Sequence, residues 1–182
     1  MHERTSNAEV FMLSAVTWTL ALAMGLVPRS APVTAAAVLD APTRHVRGVG
    51  TLVPGLLRTG FTDSRTFATL LTRLEQSDVI VYVEDVPRLP GALDGRLLML
   101  PPAHGYRYLR IQVALHGSSR DIIATIAHEL RHAIEVADAS TVVDQDGLAA
   151  LYRRIGLDHG HDLYDTVEAQ EIGRLVLKEL VA

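Results

Sequence analysis

A long helical pattern between Ser119 and Ala137 constrains the fold of this chain more than any other stretch. At about 100° per residue, its large apolar side chains fall on one side of a helix, and that side must be buried against another element. Ser118 and Asp121 stand where a capping box would begin the helix. The apolar positions are Ile122, Ile123, Ile126, Leu130, Ala133, Ile134 and Ala137. The domain is therefore expected to be built around this helix.

Strand patterns come before this helix, and further helical patterns follow it. Segments rich in β-branched and aromatic residues predict three strands, DVIVYVEDV, RLLMLPP and YRYLRIQVAL. The last of these alternates with one slip in the pattern. Helices are predicted at 144–155 and 164–181, and an earlier one begins at Asp63 or Ser64. This order predicts an α+β domain in which a small antiparallel or mixed sheet packs on the long helix and C-terminal helices follow.

Composition limits the kind of protein this can be. A chain of 182 residues with 48% hydrophobic and 21% charged residues is typical of one globular domain. The net charge of -4, with no cluster of Lys and Arg, argues against nucleic acid as a partner. Cysteine is absent, which excludes disulfides and a thiolate nucleophile. Any metal would have to be bound by His, Asp or Glu.

The N-terminal third divides into two segments before the domain. Residues 10–27 carry no charge and are followed by Ala35, Ala36 and Ala37, which suit a cleavage site. Residues 1–37 are therefore predicted to be a signal peptide or an N-terminal membrane anchor, and the protein is expected to be exported, periplasmic or extracellular. Residues 38–60 are rich in Pro, Gly and Arg and predict a linker or irregular lead-in. The folded domain is then expected over 61–182.

The long helix carries the motif H-E-x-x-H on the side opposite its apolar stripe. His128 and His132 are four residues apart, so both imidazoles can reach one metal ion, and Glu129 lies directly after the first. Zinc in such a site lowers the pKa of a water molecule, and Glu129 is predicted to take its proton as general base rather than to bind the metal. The alternative is a solvated helix face, with the histidines beside Asp121, Arg131 and Glu135.

A catalytic zinc site needs a third protein ligand. Asp138 has suitable spacing, but Glu135 occupies the position where that arrangement needs glycine. His159 and His161 lie in a predicted loop. Asp165 and Glu168 are the remaining candidates for the third ligand. Both are predicted on the last helix, Asp165 in the middle of its apolar stripe and Glu168 at the edge of that stripe. Asp165 as N-cap with Glu168 as its partner in a capping box is the competing interpretation of that pair.

The motif and the sequence that follows it resemble a known family. H-E-x-x-H with a downstream carboxylate resembles the gluzincin-like branch of the zincin metallopeptidases. More closely, "AHELRHAIEVA" with "YDTVEAQEIGRLVLKEL" resembles small exported bacterial proteins of unassigned function. Their last helix tends to read Glu/Asp-Thr-x-x-Ala-x-x-x-Gly, which matches Asp165, Thr166, Ala169 and Gly173 here. The resemblance implies Asp165 as third ligand and "YRYLRIQVA" as the strand beside the cleft, available to pair with an extended peptide.

These observations predict an exported zinc-dependent metallopeptidase-like hydrolase that acts on a peptide or protein substrate. The predicted metal ligands are His128 and His132 with Asp165 or Glu168, and Zn²⁺ is the expected cofactor. The alternative from another class is a non-catalytic protein that keeps the zincin fold for binding or as a scaffold, with a vacant or structural metal site.

Overall fold

The fold combines a small mixed sheet with helices, as the order of patterns in the sequence predicts. The computed structural model describes residues 43–158 and 164–182. In chain order the described elements are β1 (Val46–Gly48), α1 (Val53–Asp63), α2 (Arg65–Glu75), β2 (Val79–Val86), β3 (Gly95–Ala103), β4 (Tyr106–Ala114), α3 (Ser119–Asp138), α4 (Gln145–Ile155), β5 (Leu157–Asp158), β6 (Tyr164–Asp165) and α5 (Val167–Val181). The α+β class is therefore confirmed.

The main sheet has four strands in the order β1-β2-β4-β3. β1, β2 and β4 run parallel, and β3 pairs antiparallel to β4, with Val81 opposite Leu109 and Leu97 opposite Ile111. Since β4 pairs on both sides, the expectation that it is free to bind an extended peptide is wrong. β1 and β3 are the two edge strands of this sheet, and β3 contacts both α3 and α4.

The inward face of the sheet and the apolar stripe of α3 form one core. Leu109, Ile111 and Val113 alternate along β4 and are fully buried. Ile123, Ile126 and Leu130 of α3 are fully buried in the same cluster, as are Phe67, Leu71 and Leu74 of α2. Burying such side chains stabilises the fold by about 1.5 to 3 kcal/mol each. The core therefore fixes α3 against the sheet.

The slip in the β4 pattern is caused by Arg107, which takes an inward position and is 5% exposed. Its guanidinium binds Asp78 at 2.6 and 2.8 Å and donates to the carbonyl oxygen of Val136 at 2.7 Å. Further bonds reach the carbonyls of Ala137, Ala139 and Val142. A cation at the carbonyl end of a helix is favourable because it meets the negative end of the helix dipole. Arg107 thus anchors the C-terminal end of α3.

Two of the predicted helix starts are confirmed, and a third is corrected. Ser64 caps α2, and Ser118 with Asp121 forms a capping box at the start of α3. At α5, however, the N-cap is Thr166, whose hydroxyl accepts from the backbone N–H of Ala169 at 3.2 Å. Asp165 lies one residue earlier, at the end of β6, so the competing interpretation of Asp165 and Glu168 as a capping box is wrong.

The expected irregular lead-in over 38–60 is also corrected, since β1 and most of α1 lie within it. Val46, Val53 and Leu57 are buried in the core. The pattern was missed because β1 has only three residues and α1 contains glycine and proline. Pro54 is nevertheless compatible with a helix, because it lies in the first turn, where its missing N–H has no partner to lose. The domain therefore begins before residue 61.

The predicted signal or anchor segment, residues 1–37, lies outside the described residues. Within 43–158 and 164–182, none of the helices has the length and apolarity needed to cross a membrane.

Candidate metal centre

Three side chains converge at one point of the fold. His128 Nε2 and His132 Nε2 are 3.2 Å apart, and Asp165 Oδ1 lies 3.2 Å from the first and 3.3 Å from the second. Zinc bonds of about 2.0 to 2.1 Å at the tetrahedral angle separate ligand atoms by about 3.3 to 3.4 Å. The triangle of two imidazole nitrogens and one carboxylate oxygen therefore has the dimensions of a three-ligand zinc site. Among the described residues, they are also the one group of three or more His, Cys, Asp or Glu side chains close enough to hold a metal ion.

The backbone explains why these three side chains meet. His128 and His132 stand one helical turn apart on α3, which the core holds rigidly. Asp165 ends the short β5–β6 pair and is separated by one residue, the N-cap Thr166, from α5, which packs along α3. Its Oδ1 accepts from the backbone N–H of Thr166 at 2.7 Å, and its Oδ2 accepts from the Gln170 amide at 2.9 Å. The carboxylate is therefore oriented by the N-cap and the first turn of the helix that follows it, α5.

Charges around the triangle are strongly coupled. Burial alone would raise the pKa of Asp165, but its bonds to His128, His132 and Gln170 outweigh burial and hold that pKa well below its usual range. Burial alone would lower the pKa of His132, but hydrogen bonds to Asp165 and Glu135 outweigh it and raise the pKa to about 9. The carboxylate is thus ready to bind a cation, and the imidazole is held by negative partners.

Glu129 is buried beside the triangle, and no hydrogen bond within the described residues engages its carboxylate. It is 6% exposed, and burial raises its pKa, partly offset by His132 and His128. Glu129 lies against the start of β3: a Cβ at Gly95 would come within 2.6 Å of Glu129 Oε1. A larger residue at position 95 would therefore force the side chains of Glu129 and Thr125 to shift. A poorly solvated carboxylate with a raised pKa is suited to accept a proton near neutral pH.

His132 is surrounded by further polar groups that orient it. Glu135 Oε2 lies 2.8 Å from His132 Nδ1, and Glu135 Oε1 accepts from the Thr166 hydroxyl at 2.8 Å. Burial would raise the pKa of Glu135, but the bond to His132 outweighs it and lowers that pKa. Tyr152 of α4 packs edge-on against the imidazole and donates to the carbonyl oxygen of His132 at 3.2 Å. Glu135 and Tyr152 thus hold both the ring and the backbone carbonyl of His132.

The triangle faces a cleft made of two adjoining hollows. One, of about 580 Å³, lies between β3 and α4 and is lined by His132, Asp165, Leu97, Leu148 and Tyr152. The other, of about 410 Å³, lies between the start of β3 and α5 and is lined by Asp94, Asp121, Thr125 and Arg174. Both hollows include His128, Glu129 and Gly95 in their walls. A ligand spanning the cleft would pass directly over the motif.

The other predicted ligands stand elsewhere. Glu168 is exposed in the first turn of α5 and is not part of the metal-ligating group. Asp138 pairs with Arg73 at 2.7 Å on the surface. His159 and His161 lie outside the described residues. Of the two carboxylates left open by the sequence, the structure therefore brings Asp165, and not Glu168, to the imidazoles.

Comparison with known proteins yields no match to a family model, to a curated protein or to a solved structure.

Three residues that contact the motif, and a fourth that binds Glu135 and Asp165, were not singled out from the sequence as parts of the site. They are Gly95, Glu135, Tyr152 and Thr166. Glu135 stands three residues after His132, a spacing that puts the two side chains on the same helix face and could have pointed to their contact. Thr166 matches the last-helix pattern of the exported proteins that this chain resembles, but that pattern does not indicate a role for it in the site. Gly95 and Tyr152 reach the site through tertiary packing, and nothing local in the sequence indicates them.

Proposed function

We propose that this protein is an exported, zinc-dependent hydrolase of the zincin type that cleaves peptide bonds. The observation that carries the proposal is the triangle of His128 Nε2, His132 Nε2 and Asp165 Oδ1, whose sides of 3.2 to 3.3 Å match a tetrahedral zinc site with its fourth position open. Export is proposed from the apolar N-terminal segment of the sequence, residues 10–27.

Each residue of this site has a separate role in the proposed reaction. Zinc, when bound, would supply Lewis acidity and an acidified water molecule. Glu129 does not belong to the ligand triangle, and it is the proposed proton acceptor, since its buried carboxylate has a raised pKa and lies against β3 beside the histidines. Asp165 and the two imidazoles hold the metal. Glu129 then transfers the proton towards the leaving amine as the peptide bond breaks.

The cleft supports a peptide as substrate. β3 is one of the two edge strands of the main sheet, and it borders the cleft at Gly95, Arg96 and Leu97. An edge strand can pair with an extended peptide through backbone hydrogen bonds, while neighbouring hollows receive alternate side chains. The hollow between β3 and α4 contains Leu97, Leu148 and Tyr152, which suits an apolar side chain.

The first test is metal content. Purified protein should bind about one zinc per chain by elemental analysis, and His128→Ala should lose it. His104→Asn is the matched control, because His104 is an exposed histidine of the β3–β4 turn with a positive φ that asparagine tolerates. Stoichiometric zinc in His128→Ala, or its loss in His104→Asn as well, would contradict the site.

The second test concerns turnover. Glu129→Gln keeps the size of the side chain and removes its basicity, so it should retain zinc while hydrolysis of a peptide library falls by at least about 100-fold. Wild-type cleavage should stop on chelation and return with zinc. Unchanged turnover in Glu129→Gln would remove Glu129 from the mechanism.

One observation favours a non-catalytic alternative. The two imidazoles and Asp165 can satisfy one another with protons alone at 3.2 to 3.3 Å, so the cluster could serve as a structural crosslink between α3 and α5 in a binding or scaffold protein. Zinc binding without cleavage of any library peptide would favour this alternative, in which the metal is structural.

A further inference from the structure

We propose that Glu135 is a positioning residue of the metal site, and that through Thr166 it sets the second imidazole and the carboxylate ligand in one fixed arrangement. This inference depends on the proposed zinc site. It concerns four residues that we call the ligand clasp: His132 and Glu135 on α3, Asp165 at the end of β6, and Thr166 at the N-cap of α5.

The clasp is a continuous chain of hydrogen bonds. Glu135 uses one carboxylate oxygen for His132 Nδ1 and the other for the Thr166 hydroxyl, both at 2.8 Å. The backbone N–H of Thr166 then donates to Asp165 Oδ1 at 2.7 Å. The second and third ligands, which are far apart in sequence, are therefore joined through two non-ligating residues.

The first consequence of the clasp is a defined imidazole tautomer. A charged carboxylate only accepts, so the contact with Glu135 requires His132 Nδ1 to carry the proton. In the neutral imidazole, the form that binds a metal, Nε2 then has the lone pair, and it faces His128 and Asp165. A carboxylate behind a ligating histidine also raises the basicity of the ligand nitrogen. Glu135 therefore prepares His132 for a metal without touching it.

The second consequence is that α5 is held in register with α3. Thr166 is 2% exposed, caps α5 by accepting from the Ala169 N–H, and donates its hydroxyl proton to Glu135. Since Asp165 directly precedes Thr166, the same bond fixes where the Asp165 carboxylate lies relative to His132. Aspartate has a shorter reach than glutamate, so its backbone must be placed accurately.

Burial argues that this arrangement has a use beyond packing. Glu135 and His132 side chains are each 7% exposed, and removing such groups from water is costly even when they pair. An apolar pair at these positions would pack without that cost. A charged pair aimed at the ligand triangle is instead what a positioned metal site requires.

The test compares zinc affinity by competition with a chromophoric chelator. Glu135→Gln can keep only one of the two bonds that Glu135 accepts, and it should weaken zinc binding by about 10- to 100-fold, the usual effect of losing such a partner. Thr166→Val should weaken zinc binding as well, and Thr166→Ser, which keeps the hydroxyl, should restore it. Glu171→Gln is the control, since it removes an exposed charge from α5 and should leave affinity unchanged.

A second measurement uses the unmodified protein, in case a variant fails to fold. ¹⁵N NMR of the zinc-loaded wild type should show His132 with a protonated Nδ1. Zinc binding by Glu135→Gln within about threefold of wild type, or a proton on Nε2 of His132, would overturn the inference while leaving the zinc site intact. A wild type that binds no zinc would instead overturn the proposed function itself.

Discussion

His128 and His132 are one helical turn apart and look equivalent in the sequence, yet the fold treats them differently. His132 is 6% exposed, with Glu135 on its Nδ1 and Tyr152 against its ring and its carbonyl oxygen. The side chain of His128 is 24% exposed and lines both hollows of the cleft. Its bonds in the described residues run to His132 and Asp165, through the same Nε2.

The difference teaches that the site has a fixed inner half and an accessible outer half. His132 is part of the interior and is stabilised by groups that do not bind the metal. His128 forms the wall of the cleft and meets both solvent and any ligand there. Substitutions on the two sides should therefore have separable effects, because zinc binding needs both histidines and stability of the metal-free fold depends mainly on one.

The largest effect is expected from replacing each histidine in metal-free protein. His132→Ala leaves the buried Glu135 carboxylate without its main partner, and breaking such a pair costs about 3 to 5 kcal/mol in the free energy of unfolding. His128→Ala, at a partly exposed site, should cost about 1 kcal/mol or less. Urea unfolding in the presence of a chelator measures both.

The same two variants serve as controls for each other, since both remove an imidazole from α3 and both should lose zinc. A loss of stability that is equal in the two, within about 0.5 kcal/mol, would show that the inner and outer halves do not differ in the way described.

A pH dependence of nearly the same size should come from the inner half. The pKa of His132 is raised to about 9 from an ordinary value of 6.5, so in metal-free protein the folded state binds a proton that the unfolded chain releases. This contribution is complete below about pH 6.5 and is lost as the pH rises to about 9. It amounts to roughly 3 kcal/mol at most. The raised pKa of Glu129 acts in the same direction at lower pH: it also makes the folded state less stable as the pH rises.

Urea midpoints of chelated protein at pH 6, 7.5 and 9.5 should therefore fall steadily. Zinc should reduce the fall, because it binds the neutral imidazole and replaces the proton. Midpoints that stay level from pH 6 to 9.5 without metal would contradict the assignment of His132 as a charged partner of Glu135 and Asp165.

Local patterns in the sequence were enough to predict α3 and its first turn. The stripe that includes Ile123, Ile126 and Leu130 and the Ser118 cap act within a few residues of one another, and they specify the helix wherever it lies in the fold. The same holds for the α5 stripe of Ala169 and Val176. β1 was missed because three residues carry no period, and its pairing with β2 is a tertiary property.

The site was predictable only in part, for a physical reason. A helical wheel shows one apolar stripe, but α3 is also covered on its polar side, where Glu135 and His132 are buried by α4 and α5. Asp165 was proposed from a wheel that included it in the last helix, whereas it actually reaches the imidazoles from the end of β6, just before that helix. Its proximity to α3 depends on how the helices pack, which no local pattern encodes.

The smallest expected effect tests the outer half directly. Gly173 of α5 faces His128, and a Cβ there would lie 3.5 Å from His128 Cβ and 3.4 Å from the Ala124 carbonyl oxygen, ordinary contact distances. Gly173→Ala should raise the free energy of unfolding by about 0.5 to 1 kcal/mol, because alanine is the better helix former, and it should leave zinc affinity unchanged. Gly95→Ala is the contrasting variant, since its Cβ would clash with Glu129 at 2.6 Å, and it should lower peptide cleavage while zinc is retained. If Gly173→Ala instead lowered the free energy of unfolding by more than about 1 kcal/mol, His128 would be packed as tightly as His132. The outer half of the site would then be rigid too.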